Sequence, residues 1–129
     1  MLPLGGQVER IPILKLGDFL LVSPQIALHD RAAVQFKQDL LSKIADTRAT
    51  GLILDVSGVD IVDSFLIRLI DEISSSVGVM GARVVVTGFR SEVAATLVEM
   101  GFTPKWFLVA RDLETGIKKL HEEPDSEEG

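Results

Sequence analysis

Gly51-Leu52-Ile53-Leu54-Asp55-Val56, then Ser57-Gly58-Val59-Asp60-Ile61-Val62-Asp63, then Ser64-Phe65-Leu66-Ile67-Arg68-Leu69-Ile70 is the stretch in which the residue pattern changes twice. The first six residues are a short apolar run, which suits a strand buried on both faces. The middle seven carry the Ser, Gly and Asp of a connecting loop. From Ser64 onward, Phe65, Leu66, Leu69, Ile70 and Ile73 fall at helical spacing as far as about Gly78. A buried strand, a loop and an amphipathic helix make the first half of a parallel crossover unit, so the chain is expected to be α/β.

On the N-terminal side, Ile11-Pro12-Ile13-Leu14-Lys15-Leu16 and Phe19-Leu20-Leu21-Val22 are separated by Gly17-Asp18 alone, the signature of a tight hairpin. Pro12 lacks a backbone donor and places the first strand at a sheet edge. Ala33, Phe36, Leu40 and Ile44 then define a helix with Asp30 as its N-cap. On the C-terminal side, Ala82-Arg83-Val84-Val85-Val86-Thr87 reads as a strand. Ser91 is expected to cap a helix carrying Val93, Ala94, Leu97 and Val98 that stops at Gly101. A weaker strand is expected at Trp106-Phe107-Leu108-Val109. A last helix should start at Asp112 and end near Lys118 and Lys119, with Leu113, Ile117 and Leu120 buried. The expected architecture is one domain with a mixed sheet, an opening hairpin and about four helices.

Composition removes several classes of function. There is no cysteine, hence no disulfide, thiolate metal site or cysteine nucleophile. No apolar run approaches the roughly 20 residues needed to span a bilayer, and residues 1–10 do not read as a secretory signal, so a cytoplasmic chain without a membrane role is expected. Of the net charge of −6, five negatives (Glu122, Glu123, Asp125, Glu127, Glu128) lie in the last eight residues, leaving −1 for the rest. Residues 122–129 read as a disordered acidic tail, and a near-neutral body has no footprint for nucleic acid. Glycine-rich nucleotide loops are absent, and His29 and His121 sit where surface residues are expected, away from any candidate serine nucleophile. Neither a cofactor nor a metal is expected.

Asp55 and Thr87, each ending a strand, together with Lys105, supply the ingredients of an aspartyl-phosphate receiver. That chemistry needs further carboxylates for Mg²⁺ after the first strand, where Leu16-Gly17-Asp18 forms a hairpin instead. Asp55 is therefore expected to bond nearby loop amides. In the loop before the second long helix, Asp63 or Ser64 is expected to cap the helix while Phe65 and Leu66 turn inward. A serine at that turn is also open to esterification. A phosphate there would bring about −1.5 to −2 charges, partly offset by the helix N-terminus and repelled by Asp60 and Asp63.

Strand, loop and Asp63-Ser64 opening a helix resemble the STAS domain, the family of bacterial anti-sigma factor antagonists, over about residues 8–121. Ile11–Leu16, Leu20–Ser23, Val59–Phe65 and Met80–Gly88 together are similar to its RsbS-type, single-domain stressosome branch. Phe65-Leu66-Ile67 occupies the region where simple antagonists carry a glycine, which favours that branch. The resemblance implies a non-catalytic scaffold that forms homodimers and co-assembles with RsbR-type STAS paralogues. It further implies that the scaffold sequesters an RsbT-type serine/threonine kinase, is phosphorylated by it on Ser64 to release it, and is reset by an RsbX-type phosphatase. Asp60, Asp63 and Phe65 would then lie in the kinase-docking surface. Thr96, within the third helix, lies near a second phosphorylated position of the RsbR-type paralogues, though a helix hydroxyl bonding a preceding carbonyl is the plainer expectation. The alternatives are a stand-alone antagonist binding an anti-sigma kinase directly, and the receiver described above.

Overall fold

The computed structural model describes residues 11–25, 30–59 and 61–122. His29, Asp60 and the acidic residues from Glu123 onward lie outside the described residues. The hairpin forms as the Gly17-Asp18 pair predicts. Strand β1 (Ile13–Leu16) pairs antiparallel with β2 (Phe19–Val22), Leu16 opposite Phe19. Gly17 takes φ +63° while Asp18 stays at negative φ, the two-residue pattern that matches strand twist.

Three crossovers follow. Helix α1 (Asp30–Thr47) leads to β3 (Gly51–Asp55), α2 (Ser64–Val79) to β4 (Arg83–Thr87), and α3 (Ser91–Glu99) to β5 (Leu108–Ala110); α4 (Leu113–His121) closes the order. The sheet order is β1-β2-β3-β4-β5, with β2 through β5 mutually parallel. Sequential parallel crossovers of one hand put their helices on one face of the sheet. Leu20, Val22, Leu52, Leu54, Val84 and Val86 point to that face and pack with Phe36, Leu40 and Ile44 of α1 and Leu66, Leu69, Ile70 and Ile73 of α2. The alternate residues Phe19, Ile53, Val85 and Ala110 point the other way, under Leu120 and Ile117 of α4. Both layers thus follow from the period of two along each strand.

The edge position of β1, the apolar stripe of α1 and the inward face of α2 agree with the sequence, but three local expectations do not hold: the Ser91 cap, the start of the last strand at Trp106 and the burial of Leu113. Ser91 is the first residue of α3 rather than its cap; Arg90 takes the cap position and no side chain bonds the helix end. No residue of α3 is buried, and Val98 is 74% exposed: this nine-residue helix borders only a groove shared with the first turns of α2. Strand β5 starts at Leu108, leaving Trp106 exposed, and Leu113 opens α4 at the surface while Gly116 and Leu120 carry the buried stripe. Among the described residues, no helix is long and apolar enough to cross a membrane.

The ends of α4 are tied down chemically. The Arg83 guanidinium donates to the Glu122 carbonyl at 2.7 Å and the Leu120 carbonyl at 3.5 Å, closing its C-terminus. At its start, the Asp112 carboxylate accepts from the Thr115 amide at 2.8 Å. That backbone bond, aided by the Thr115 side chain and the Arg111 charge, holds the Asp112 carboxyl below its ordinary value of 3.8. A depressed folded-state pKa means that the cap stabilises α4 fully above the unfolded value and is lost as pH falls through the folded one. An NMR titration is expected to place the Asp112 midpoint below 3.8, with α4 amides losing protection as it protonates. A midpoint at or above that value would reject the cap.

Candidate functional site

At the C-terminal ends of parallel strands the backbone runs out of ladder partners, and α/β folds place their functional loops there. After β3 the chain makes one further bond to the sheet, from the Val56 amide to the Thr87 carbonyl at 2.9 Å. It then turns through Ser57-Gly58, the Val59 amide donating to the Val56 carbonyl at 3.0 Å and the Val59 side chain buried as an anchor. Ile61 is 68% exposed and Val62 half-buried before α2 begins.

Asp63 is the N-cap of α2. It has extended backbone (φ −117°, ψ −178°), and its Oδ1 accepts from the Leu66 amide at 3.0 Å. Its carbonyl accepts from the Ile67 amide at 3.1 Å, the first intrahelical bond. The division of labour between Asp63 and Ser64, left open by the sequence, is therefore resolved: Asp63 caps. Ser64 is the first helical residue, is exposed, and its hydroxyl makes no hydrogen bond with a described residue. Phe65 turns only partly inward and Leu66 fully.

A groove of about 530 Å³ runs between the first turns of α2 and the half-buried face of α3. Val62, Ile67, Val93, Leu97, Met100 and Phe102 give it an apolar floor, while Asp63, Ser64, Arg68, Glu92 and Thr96 stand along its rim. Ser64 and Thr96 thus share one groove, although they are 32 residues apart in the chain. The Thr96 hydroxyl donates to the Glu92 carbonyl at 2.9 Å, the intrahelical back-bond that a helix threonine commonly makes. Arg68 and Glu92 were not singled out from the sequence. Arg68 could have been, since it lies four residues after Ser64 and so on the same helix face.

Asp55 bonds hydroxyls, not the loop amides expected of it. Ser57 Oγ donates to its Oδ2 at 2.8 Å, Ser23 Oγ to the same oxygen at 3.2 Å, and Thr87 Oγ1 to its Oδ1 at 3.0 Å. Both carboxylate oxygens are thus occupied from within the chain. Lys105 is exposed and makes no bond or ion pair to Asp55. No cluster of three or more His, Asp or Glu suited to a metal occurs among the described residues.

The sequence profile of the STAS domain matches residues 10–116 of this chain. RsbRA of Bacillus subtilis, an RsbT co-antagonist protein, is 26% identical over 115 residues, spanning 88% of this chain and 42% of RsbRA. The chain therefore spans about two-fifths of the length of such relatives. Among solved structures, a serine-to-glutamate variant of RsbS from Moorella thermoacetica is 36% identical with a TM-score of 0.73, covering 88% of this chain and 96% of that one. A chain of the stressosome, a signal integration and transduction hub, is 37% identical with a TM-score of 0.69, covering 85% and 96%. A hairpin-led five-stranded sheet, four helices, Asp63-Ser64 at the head of α2 and a profile match across most of the length carry one conclusion: the chain belongs to the STAS domain family.

Proposed function

We propose that this chain is a non-catalytic stressosome subunit that holds a serine/threonine kinase of the RsbT type and releases it once Ser64 is phosphorylated. The observation that carries the reading is the separation of roles at α2: Asp63 supplies the cap, so the exposed Ser64 hydroxyl is available for esterification without loss of the helix start. A phosphate there lies at the positive end of the α2 dipole, and its charge lands on the rim of the groove between α2 and α3. The kinase surface that accepts a neutral hydroxyl then faces an anion.

The similarity to RsbS and to RsbRA supports co-assembly with RsbR-type paralogues, and an RsbX-type phosphatase would return Ser64 to its free form. The occupied oxygens of Asp55 argue against its serving as the phosphoacceptor. Incubation with an RsbT-type kinase and labelled ATP is expected to place one phosphate on the chain, stable to hydroxylamine and absent from Ser64→Ala. Label retained in Ser64→Ala, or lost to hydroxylamine as an acyl phosphate would be, overturns the assignment. Mixing with an RsbR-type partner should yield a complex far larger than a dimer, whereas persistence of small species would favour a stand-alone antagonist.

A further inference from the structure

Three hydroxyls converge on the Asp55 carboxylate. Ser23 follows β2, Ser57 follows β3 and Thr87 ends β4, so Asp55 draws together three consecutive segments at the same end of the sheet. The arrangement extends outward on one side: Gln25 Nε2 donates to Ser23 Oγ at 3.1 Å and to the Ser23 carbonyl at 3.2 Å. Its side chain lies so close over Gly58 that a Cβ there would sit 2.6 Å from Gln25 Oε1. On the other side Gly88 is pressed against Asp55 and Ser57, with a notional Cβ 2.6 Å from Asp55 Oδ1 and 2.8 Å from the Ser57 amide nitrogen. Thr87 is fully buried, which gives the cluster a fixed floor.

The Ser57-Gly58 turn is therefore gripped from the β2 side and the β4 side, and it is the entry to the loop that ends in Asp63 and Ser64. Beyond Val59 the described part of that loop has no backbone bond to the sheet, so the placing of Ser64 is shared between the core packing of α2 and the hold on the loop's entry. Phosphoryl transfer depends on positioning, and a displacement near 1 Å can cost on the order of a hundredfold in rate.

We infer that Asp55 is a positioning residue for Ser64: its carboxylate, by collecting the hydroxyls of Ser23, Ser57 and Thr87, fixes the Ser57-Gly58 entry of the loop and so helps to set the place at which a kinase meets the Ser64 hydroxyl. The inference rests on Ser64 being the phosphoacceptor, and the test keeps the two ideas apart. Asp55→Ala, Asp55→Asn and Ser57→Ala are compared with Ile117→Ala, which thins the core on the opposite face of the sheet and serves as a control for simple destabilisation. Hydrogen exchange and kinase turnover are measured well below each melting temperature.

Asp55→Ala is expected to speed exchange across residues 56–67 and to lower kcat for phosphorylation by about tenfold or more, with KM changed less than about threefold. Asp55→Asn keeps an acceptor for Thr87 and offers its amide to serine hydroxyls that can accept, so it should recover most of the rate. Ser57→Ala, an exposed single arm, should fall between and stay folded even if Asp55→Ala does not. Exchange and kcat in Asp55→Ala and Ser57→Ala no different from Ile117→Ala overturn the inference. If the parent chain takes no phosphate on Ser64, it is the phosphoacceptor reading that fails, and the exchange data alone decide whether Asp55 holds the loop.

Discussion

Ser64→Asp is expected to weaken the kinase complex by at least about thirtyfold while leaving the chain folded. An unpaired charge forced into a contact built for a neutral group typically costs about 2–5 kcal/mol, which corresponds to roughly 30- to several-thousand-fold in affinity. The folded chain, by contrast, should scarcely register the change. Ser64 is exposed and is the first residue of α2, where the helix dipole favours an acid by about 0.3–1 kcal/mol, offset in part by the neighbouring Asp63. Titration calorimetry against the kinase, with a thermal melt of each chain, reads both halves. Ser64→Asn separates charge from shape, since it is polar, neutral and of similar size to aspartate. The charge mechanism predicts that Asn keeps binding within severalfold of the parent. Equal losses for Asp and Asn would make shape the cause, and unchanged binding of Ser64→Asp would remove Ser64 from the contact.

That expectation rests on a distinction the sequence could not make. Asp63-Ser64 offers two residues of high capping preference side by side, and pattern alone assigns the cap to either. Only the extended backbone at Asp63, with its bond to the Leu66 amide, frees Ser64. Where burial is periodic and deep, as along α1, α2 and β2 to β4, the residues announced their own structure. Where elements are short and lie at the rim, packing decides, and α3, β5 and Leu113 departed from their apolar pattern for that reason. The Asp55 cluster shows a third limit. Asp55 and Thr87 stood out as strand ends and Ser57 lies only two residues past Asp55, but Ser23 joins them only because in-register parallel pairing brings the ends of β2, β3 and β4 level. A long-range polar contact of this kind leaves no local period to read.

Gly88→Ala is expected to be among the most destabilising single-methyl changes in the chain, although it adds a small group near the surface. At φ +88° a side chain already meets strain, and a cost of about 1–3 kcal/mol is usual for such a backbone. The added Cβ would also lie 2.6 Å from Asp55 Oδ1, 2.8 Å from the Ser57 amide nitrogen and 2.9 Å from Ser57 Cβ. Two of those neighbours cannot swing aside as the tip of a flexible side chain would: one is backbone, and the other is a carboxylate held by three hydroxyls. Overpacking of this sort adds about 1–3 kcal/mol, so a total near 3 kcal/mol is expected, a large share of the roughly 5–15 kcal/mol that holds a domain together. Gly17→Ala supplies the comparison, because Gly17 also has positive φ but a Cβ there would touch nothing within 4 Å. Denaturant unfolding of both variants should show Gly17→Ala losing about 1 kcal/mol from backbone strain and Gly88→Ala losing clearly more. If the two losses are equal, the turn after β4 is looser than it stands here, and the crowding of Gly88 against Asp55 and Ser57 has no energetic weight. If Gly88→Ala loses more, the excess measures how firmly the turn after β4 and the entry to the Ser64 loop are pressed together, independently of any kinase.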